Sequence, residues 1–380
     1  MNRELGLQIL AQIMAWSDEQ AQEEFRWLSF MSAYKYDGYR GYLAGARFIE
    51  SLATWLQQFP LKDRGVAYTY IKENLIYIGQ AEMQRLVQKF FPEIVQKNLQ
   101  KTVAEKLDIP DYMVWSTIKN LEYFKSEIRK TLFMGLSDGA RLDSFRRVNV
   151  GIISNEQVAI TTEISNFKWE NLLSELKNDP QIKDGSLKFA RVYLVDDFAA
   201  SGTTLIREDS AGSSNFVGKL KKFADALVQA TKDLGGSSPF VDKFQIRVHH
   251  YIGTHQAQEN IEKRYSQAKK ELEEMGIFDV QFSFGMLLPS EIKLTTSSDE
   301  PFASLCERYY DHSIYDKHFK KSGCSDGKFG YAGCGLPVIL DHNAPNNSLS
   351  LLWAETKGNE KVHSMRPLFR RRQRHMEFSG

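Results

Sequence analysis

From Glu4 to about Lys130, apolar residues recur at three- and four-residue steps, as in Leu5, Ile9, Ile13 and Trp16, the period at which side chains line one face of a helix. Ser17 followed by Gln20 has the spacing of a capping box, in which the hydroxyl accepts one backbone N–H and the amide reaches back to another. Pro60, Pro92 and Pro110 lack a backbone donor and are expected at helix boundaries. Residues 1–130 are therefore predicted to form an all-helical module. Its aromatic residues Trp27, Phe30, Tyr34, Phe48, Trp55, Phe90 and Phe91 are expected in the core rather than on a base-stacking surface.

The pattern changes near Thr131. Short apolar runs that end in small or polar residues predict strands at Leu132–Met134, Val158–Thr161, Val192–Val195, Phe244–Ile252 and Val280–Leu288. Helical patterns lie between some of them, at about Trp169–Lys177, Val217–Lys232 and Ala257–Met275. Strands alternating with helices predict an α/β core over residues 131–290, a parallel sheet covered on both faces. Its functional groups are expected beyond the carboxyl ends of the strands. Residues 291–380 are irregular, with short apolar segments at Leu336–Leu340 and Leu349–Trp353, and read as an extension or cap on that sheet.

A length of 380 residues agrees with two or three domains at roughly 150 residues each. The 49 basic against 48 acidic residues leave a formal charge of +1, which excludes a whole-molecule field for polyanions, so any nucleic-acid contact needs a local patch. With 42% hydrophobic residues the chain can bury a large core, which argues against disorder. No apolar run of about 18 residues predicts a membrane span. No signal-peptide pattern follows Met1, and the expected location is the cytoplasm. Cys306, Cys324 and Cys334, odd in number and confined to the last fifth of the chain, are expected as reduced thiols.

The most informative segment runs from Val192 through Leu194, Val195, Asp196, Asp197, Ala200, Ser201, Gly202, Thr203 and Thr204 to Leu205. An apolar strand delivers two adjacent carboxylates, and a small-residue turn follows with backbone amides and hydroxyls. Amides and hydroxyls at Ala200, Ser201, Gly202, Thr203 and Thr204 suit phosphate oxygens, while Asp196 and Asp197 suit ribose hydroxyls and can help hold Mg²⁺ through water or hydroxyls. The plainer reading is that Asp197 caps a turn and Gly202 permits a tight bend. The ordered combination of strand, acid pair and Ser-Gly-Thr-Thr favours the ligand reading.

This segment resembles the type I phosphoribosyltransferases. That resemblance implies a parallel α/β core binding 5-phosphoribosyl 1-pyrophosphate with Mg²⁺, with Asp196 and Asp197 at the ribose hydroxyls and residues 200–204 at the 5′-phosphate. A second segment, Leu132 to Arg141, is an earlier strand followed by a turn. The same resemblance makes Ser137, Asp138, Gly139 and Ala140 a pyrophosphate loop, with Arg141 stabilising the departing pyrophosphate. Its plainer reading is an ordinary surface arginine. These two segments, with Pro345-Asn346-Asn347-Ser348-Leu349 and Leu352-Trp353, look like the divergent phosphoribosyltransferase-like proteins of prokaryotic conflict and anti-phage systems, including retron-associated ones. The long helical module, an insert at Ile206–Asn215 and the irregular carboxyl-terminal region depart from the nucleotide-salvage enzymes.

Other sites carry less. Gly218-Lys219 before a helix superficially resembles a phosphate-binding loop, but the spacing is one residue too long and Leu220 replaces the Ser or Thr that would ligate Mg²⁺. Lys219, Lys221 and Lys222 are expected on a solvated helix face, with proximity to the phosphate as the alternative. His312, His318, Cys324 and Cys334 lack a paired knuckle spacing for zinc, and no direct metal ligand is assigned. His249 and His250 fall on opposite faces of a strand, and neither is assigned as a base. Arg366, Arg370, Arg371, Arg372 and Arg374 are a candidate patch for nucleic acid or another polyanion, or else a solvated tail or an intramolecular contact with acidic surface.

Three functions are compatible with these residues. The first is an enzyme acting at ribose C1 of a phosphoribosyl pyrophosphate or nucleotide-like ligand. The others are a noncatalytic sensor that keeps the phosphate cradle, and a nucleic-acid-associated effector. A nucleic acid or a defence-system protein is the expected macromolecular partner, with no membrane.

Overall fold

The computed structural model describes residues 3–182, 188–209, 215–298, 300–359 and 362–371. The chain divides into two compact units, one of residues 1–82 with 290–380 and one of residues 83–289. These boundaries differ from the expected 1–130, 131–290 and 291–380.

The first unit joins the two ends of the chain. Helices Arg3–Met14, Asp18–Tyr34, Phe48–Gln57 and Leu61–Asn74 precede a strand, Ile76–Ile78, that pairs in parallel with Val338–Leu340. The Ser17 capping box forms as expected. The carboxyl-terminal segment is thus part of the helical unit, because its apolar runs complete that unit's core. Trp55 donates its indole N–H to the Leu351 carbonyl at 2.7 Å, Tyr70 stacks on Phe302 at 4.1 Å, and Phe369 packs on Phe48. Phe48 and Trp55 are core as expected, whereas Phe30 and Tyr34 are exposed and stack on each other.

In the second unit, helices α1 (Gln80–Phe90), α2 (Gln96–Leu107) and α3 (Ile118–Arg129) lead into the sheet. Pro92 falls at a helix boundary as expected, just after α1 ends at Phe90. A π turn over Phe91–Val95 carries the chain past it from α1 to α2, absorbing the missing donor within the helical path. Phe90 packs edge-on against Phe133, Tyr193 and Tyr251 and stacks on His249, so this aromatic belongs to the sheet's core.

The sheet has five parallel strands, β1 (Thr131–Gly135), β2 (Val158–Ala159), β3 (Phe189–Ala199), β4 (Phe240–Thr254) and β5 (Asp279–Leu288), in the order β2-β1-β3-β4-β5. Interspersed are α4 (Leu142–Val148), α5 (Asn166–Lys177), α6 (Lys219–Asp233) and α7 (His255–Glu274). The α/β parallel-sheet expectation holds. β3 and β4 run several residues beyond their apolar cores, and β2 is shorter than expected. Leu132, Met134, Val192, Leu194, Ile246 and Val248 pack into one core with Trp169 of α5, Leu220 and Phe223 of α6, and Ile261 of α7.

The chain leaves β1 for β2 on one side and then returns to place β3 on the other. The strand order therefore reverses between β1 and β3, where open α/β sheets form a crevice. Pairing of β1 with β3 ends at Gly135–Val195, with one further bond from Leu136 N to the Val195 carbonyl, while β3 continues beside β4 to Ala199. Asp196 and Asp197 sit just beyond that last bond.

Among the described residues no helix is long and apolar enough to cross a membrane.

Candidate functional site

Two turns meet at the acid pair. After β1, Ser137 caps a short 3₁₀ turn, Asp138–Ala140, and its hydroxyl donates to Asp196 Oδ1 while accepting the Gly139 N–H at 3.2 Å. Gly139 lies so close to Asp197 that an added Cβ would collide with its carboxylate. Arg141 follows with φ +49, a left-handed conformation uncommon for a side-chain-bearing residue and one that recurs at functional turns. Its positive charge acts on the buried phenol of Tyr251, as does the negative charge of Asp197, which places both groups at this end of β4. Ser137 and Gly139 are thus brought to the acid pair, and Arg141 follows them in the same turn. Asp138 is exposed and Ala140 is buried.

After β3, residues 200–204 form a tight turn whose carbonyls are all engaged. The Ala200 carbonyl accepts from Thr254 Oγ1 at 2.6 Å, and that of Ser201 accepts from Asn260 and Arg264, each at 3.2 Å. The Gly202 carbonyl accepts the Leu205 and Ile206 N–H groups, that of Thr203 accepts Arg207, and that of Thr204 accepts the Lys219 N–H at 3.0 Å. Gly202 has φ +72 and stands against Ile261 and the Ala257 carbonyl of α7, so a side chain fits neither its backbone nor its space. Ser201 and Thr203 are buried and share a hydroxyl–hydroxyl bond of 2.9 Å, whereas Thr204 is exposed.

The two acids are held differently. Asp196 is 3% exposed. Its Oδ1 accepts the Ser137 hydroxyl and the Asp197 N–H, and its Oδ2 pairs with the Lys219 ammonium. Burial nonetheless raises its carboxyl above the usual range, with the adjacent Asp197 charge adding to the rise and Lys219 opposing it. Asp197 is half-buried and accepts the Phe198 N–H at 2.8 Å.

Lys219 is therefore not on a solvated helix face. Gly218, at φ +134 and pressed against the Leu205 carbonyl, starts α6 directly on the 202–206 turn and aims Lys219 at Asp196. Lys221, by contrast, pairs with Asp225 at the surface. Sequence reasoning missed the Asp196–Lys219 pair because the two lie 23 residues apart across the insert. Residues 210–214 of that insert are outside the described residues. The loop-holding Thr254, Asn260 and Arg264 come from β4 and α7 with no local motif to announce them.

His249 and His250 do separate to opposite faces. His249 stacks on Phe90 and its Nδ1 lies 2.9 Å from Ser283 Oγ, while His250 stacks on Phe284 beside Asp196. Burial lowers both imidazoles to about 3. The charge of His250 adds to the effect on His249, and that of Lys219 to the effect on His250. Both are neutral at pH 7, and neither is placed as a proton acceptor for a ligand.

Among the described residues no three His, Cys, Asp or Glu side chains cluster as a metal site. A directly bound Mg²⁺ does not fit Asp196 as it stands: Oδ1 already accepts two donors, and the Lys219 ammonium on Oδ2 repels a second cation while leaving that oxygen able to accept a hydroxyl.

Of the candidate basic patch, Arg370 pairs with Glu355 at 2.6 Å and Arg371 lies over the Trp353 ring. The Arg366 N–H donates to Gln58, and Met365 before it and Leu368 and Phe369 after it are buried. Through Arg371 the stretch is packed onto its own unit, with Arg370 in the intramolecular acidic contact that is one of its expected readings. Arg372 and Arg374 lie outside the described residues.

No curated protein and no solved structure matches the chain. Residues 52–371 match the family model PRTase-CE, and the chain belongs to that phosphoribosyltransferase-like family.

Proposed function

We propose that the carboxyl end of the sheet binds a phosphoribosyl pyrophosphate or nucleotide-like ligand and that this protein acts at ribose C1 as a phosphoribosyltransferase-like enzyme. The observation that carries the reading is the convergence of two turns on one acid pair at the point where strand order reverses: Ser137 bonds Asp196 and Gly139 abuts Asp197. The 200–204 turn directs its carbonyls to protein donors and its Thr203 N–H to Ser201 Oγ at 3.4 Å, so its other amides and the Thr204 hydroxyl are the groups it offers to a 5′-phosphate. The acid pair accepts from ribose hydroxyls, and the Ser137–Arg141 turn faces the pyrophosphate.

In the reaction, a lone pair of the acceptor forms a bond to C1. The C1–O bond breaks and its electron pair leaves with pyrophosphate, while the acceptor's proton passes to solvent. Arg141 stabilises the leaving charge, and no protein nucleophile is required.

A second reading, a noncatalytic sensor of the same ligand, is favoured by one feature: Ser137 and Lys219 already hold Asp196 on both oxygens. The resemblance alone extends the proposal to phage defence, where depletion or modification of a nucleotide metabolite would be the outcome.

The test incubates the purified chain with phosphoribosyl pyrophosphate and a pool of bases, nucleotides and RNA, following ligand binding, pyrophosphate release and product mass. Release above the no-protein rate, lost in the double variant Asp196→Asn, Asp197→Asn, is the expected result. Binding without release supports the sensor, and binding unchanged in the double variant refutes the site.

A further inference from the structure

The acid pair comes with its own cation. Lys219 is fixed from both ends: its backbone N–H donates to the Thr204 carbonyl, and its ammonium pairs with Asp196 Oδ2. Its placement is built rather than incidental. Only a glycine fits at position 218, and Leu220, fully buried, anchors the next residue with its N–H on the Leu205 carbonyl. The Lys219 side chain keeps 24% of its surface exposed, and its backbone N–H ties it to the 200–204 turn, so the residue is not sealed within the core.

A directly bound Mg²⁺ needs carboxylate oxygens at about 2.0–2.1 Å and near-octahedral geometry. At Asp196 Oδ2 it would sit beside the Lys219 ammonium, whose like charge opposes it, and Oδ1 already accepts the Ser137 hydroxyl and the Asp197 N–H. A lysine ammonium is a compact charge on a flexible stem and an established type of phosphate ligand. It can offset the repulsion between the acids and an incoming phosphate without leaving the chain.

We propose that Lys219 is the resident cation of this site, standing where the acid pair would take Mg²⁺, so that a ribose phosphate binds here without a divalent metal. This rests on the phosphoribosyl reading above.

The probe is ribose 5-phosphate, which lacks the pyrophosphate that chelates Mg²⁺ in solution and so reports the site's own need for a metal. Calorimetric titrations of the full chain are run in EDTA and in millimolar MgCl₂ on wild type, Lys219→Met and Lys219→Arg, each checked for a native melting transition. Expected are wild-type affinities equal within twofold in the two buffers, and a loss of at least tenfold for Lys219→Met in EDTA that MgCl₂ partly restores. Lys219→Arg should retain metal-free binding. A fold defect shows in the melting transition and would not be reversed by Mg²⁺ at the ligand site. Wild-type binding that falls tenfold in EDTA, or Lys219→Met binding as well as wild type in EDTA, overturns the role of Lys219 while leaving the phosphoribosyl reading intact. Failure of the wild type to bind in either buffer overturns both.

Discussion

Glu127 at the end of α3 and Asp196 near the end of β3 are both buried carboxylates paired with cations at opposite ends of one sheet, yet their environments push them in opposite directions. Glu127 is fully buried and faces three cations, Lys130 at 2.8 Å, Lys106 at 3.1 Å and Arg191 at 3.5 Å. Burial pushes its carboxyl up, but the cations together hold it below the usual range. Arg191 in turn is bonded to Gln245, Thr131 and Thr102, so the cluster is closed on itself. Asp196 has one cation and a like charge beside it, and burial prevails. A carboxylate that the fold leaves disfavoured, at a strand end facing two small-residue turns, is where a ligand can relieve the cost. The Glu127 cluster is a clasp, and the Asp196 cluster is a site.

The largest effect should come from the clasp. Glu127→Ala leaves Arg191 and Lys130 buried without their counter-charge, and unfolding in denaturant should show a loss of about 3–5 kcal/mol. A cost below about 1 kcal/mol would remove the distinction between the two ends.

A smaller effect is expected at Gly139. Gly139→Ala places a methyl against the Asp197 carboxylate and should weaken phosphoribosyl pyrophosphate binding about tenfold, with a stability cost near 1 kcal/mol. Titration and a melt on the same sample separate the two, and unaltered affinity would detach the first turn from the site.

The sheet and the phosphate turn were legible in the sequence because both are local. Val192–Val195 is a continuous apolar run, and Asp196 through Thr204 follow it without interruption. The assignment of α1–α3 was not legible, since helical period shows that Phe90 and Phe91 face a core but not which core. Tertiary packing decides that: Phe90 stacks on His249 of β4. The carboxyl-terminal segment failed for the same reason. Val338–Leu340 is a three-residue run whose partner, Ile76–Ile78, lies more than 250 residues earlier. Lys219 was visible as a charge beside a glycine, but only the fold across the insert could show that it meets Asp196.

The most direct test of the account is Asp196→Asn, read for stability and for ligand together at pH 7. Because the folded state raises the Asp196 carboxyl, the group's contribution to stability is fully present below its unfolded value near 3.8 and is lost as pH rises through the raised folded value. At pH 7 its ionised form is therefore a cost. The account predicts an unfolding free energy within about 1 kcal/mol of wild type, or higher, together with at least a tenfold loss of affinity for phosphoribosyl pyrophosphate. A variant that unfolds easily yet binds as wild type would show Asp196 to be a second clasp and would contradict the site.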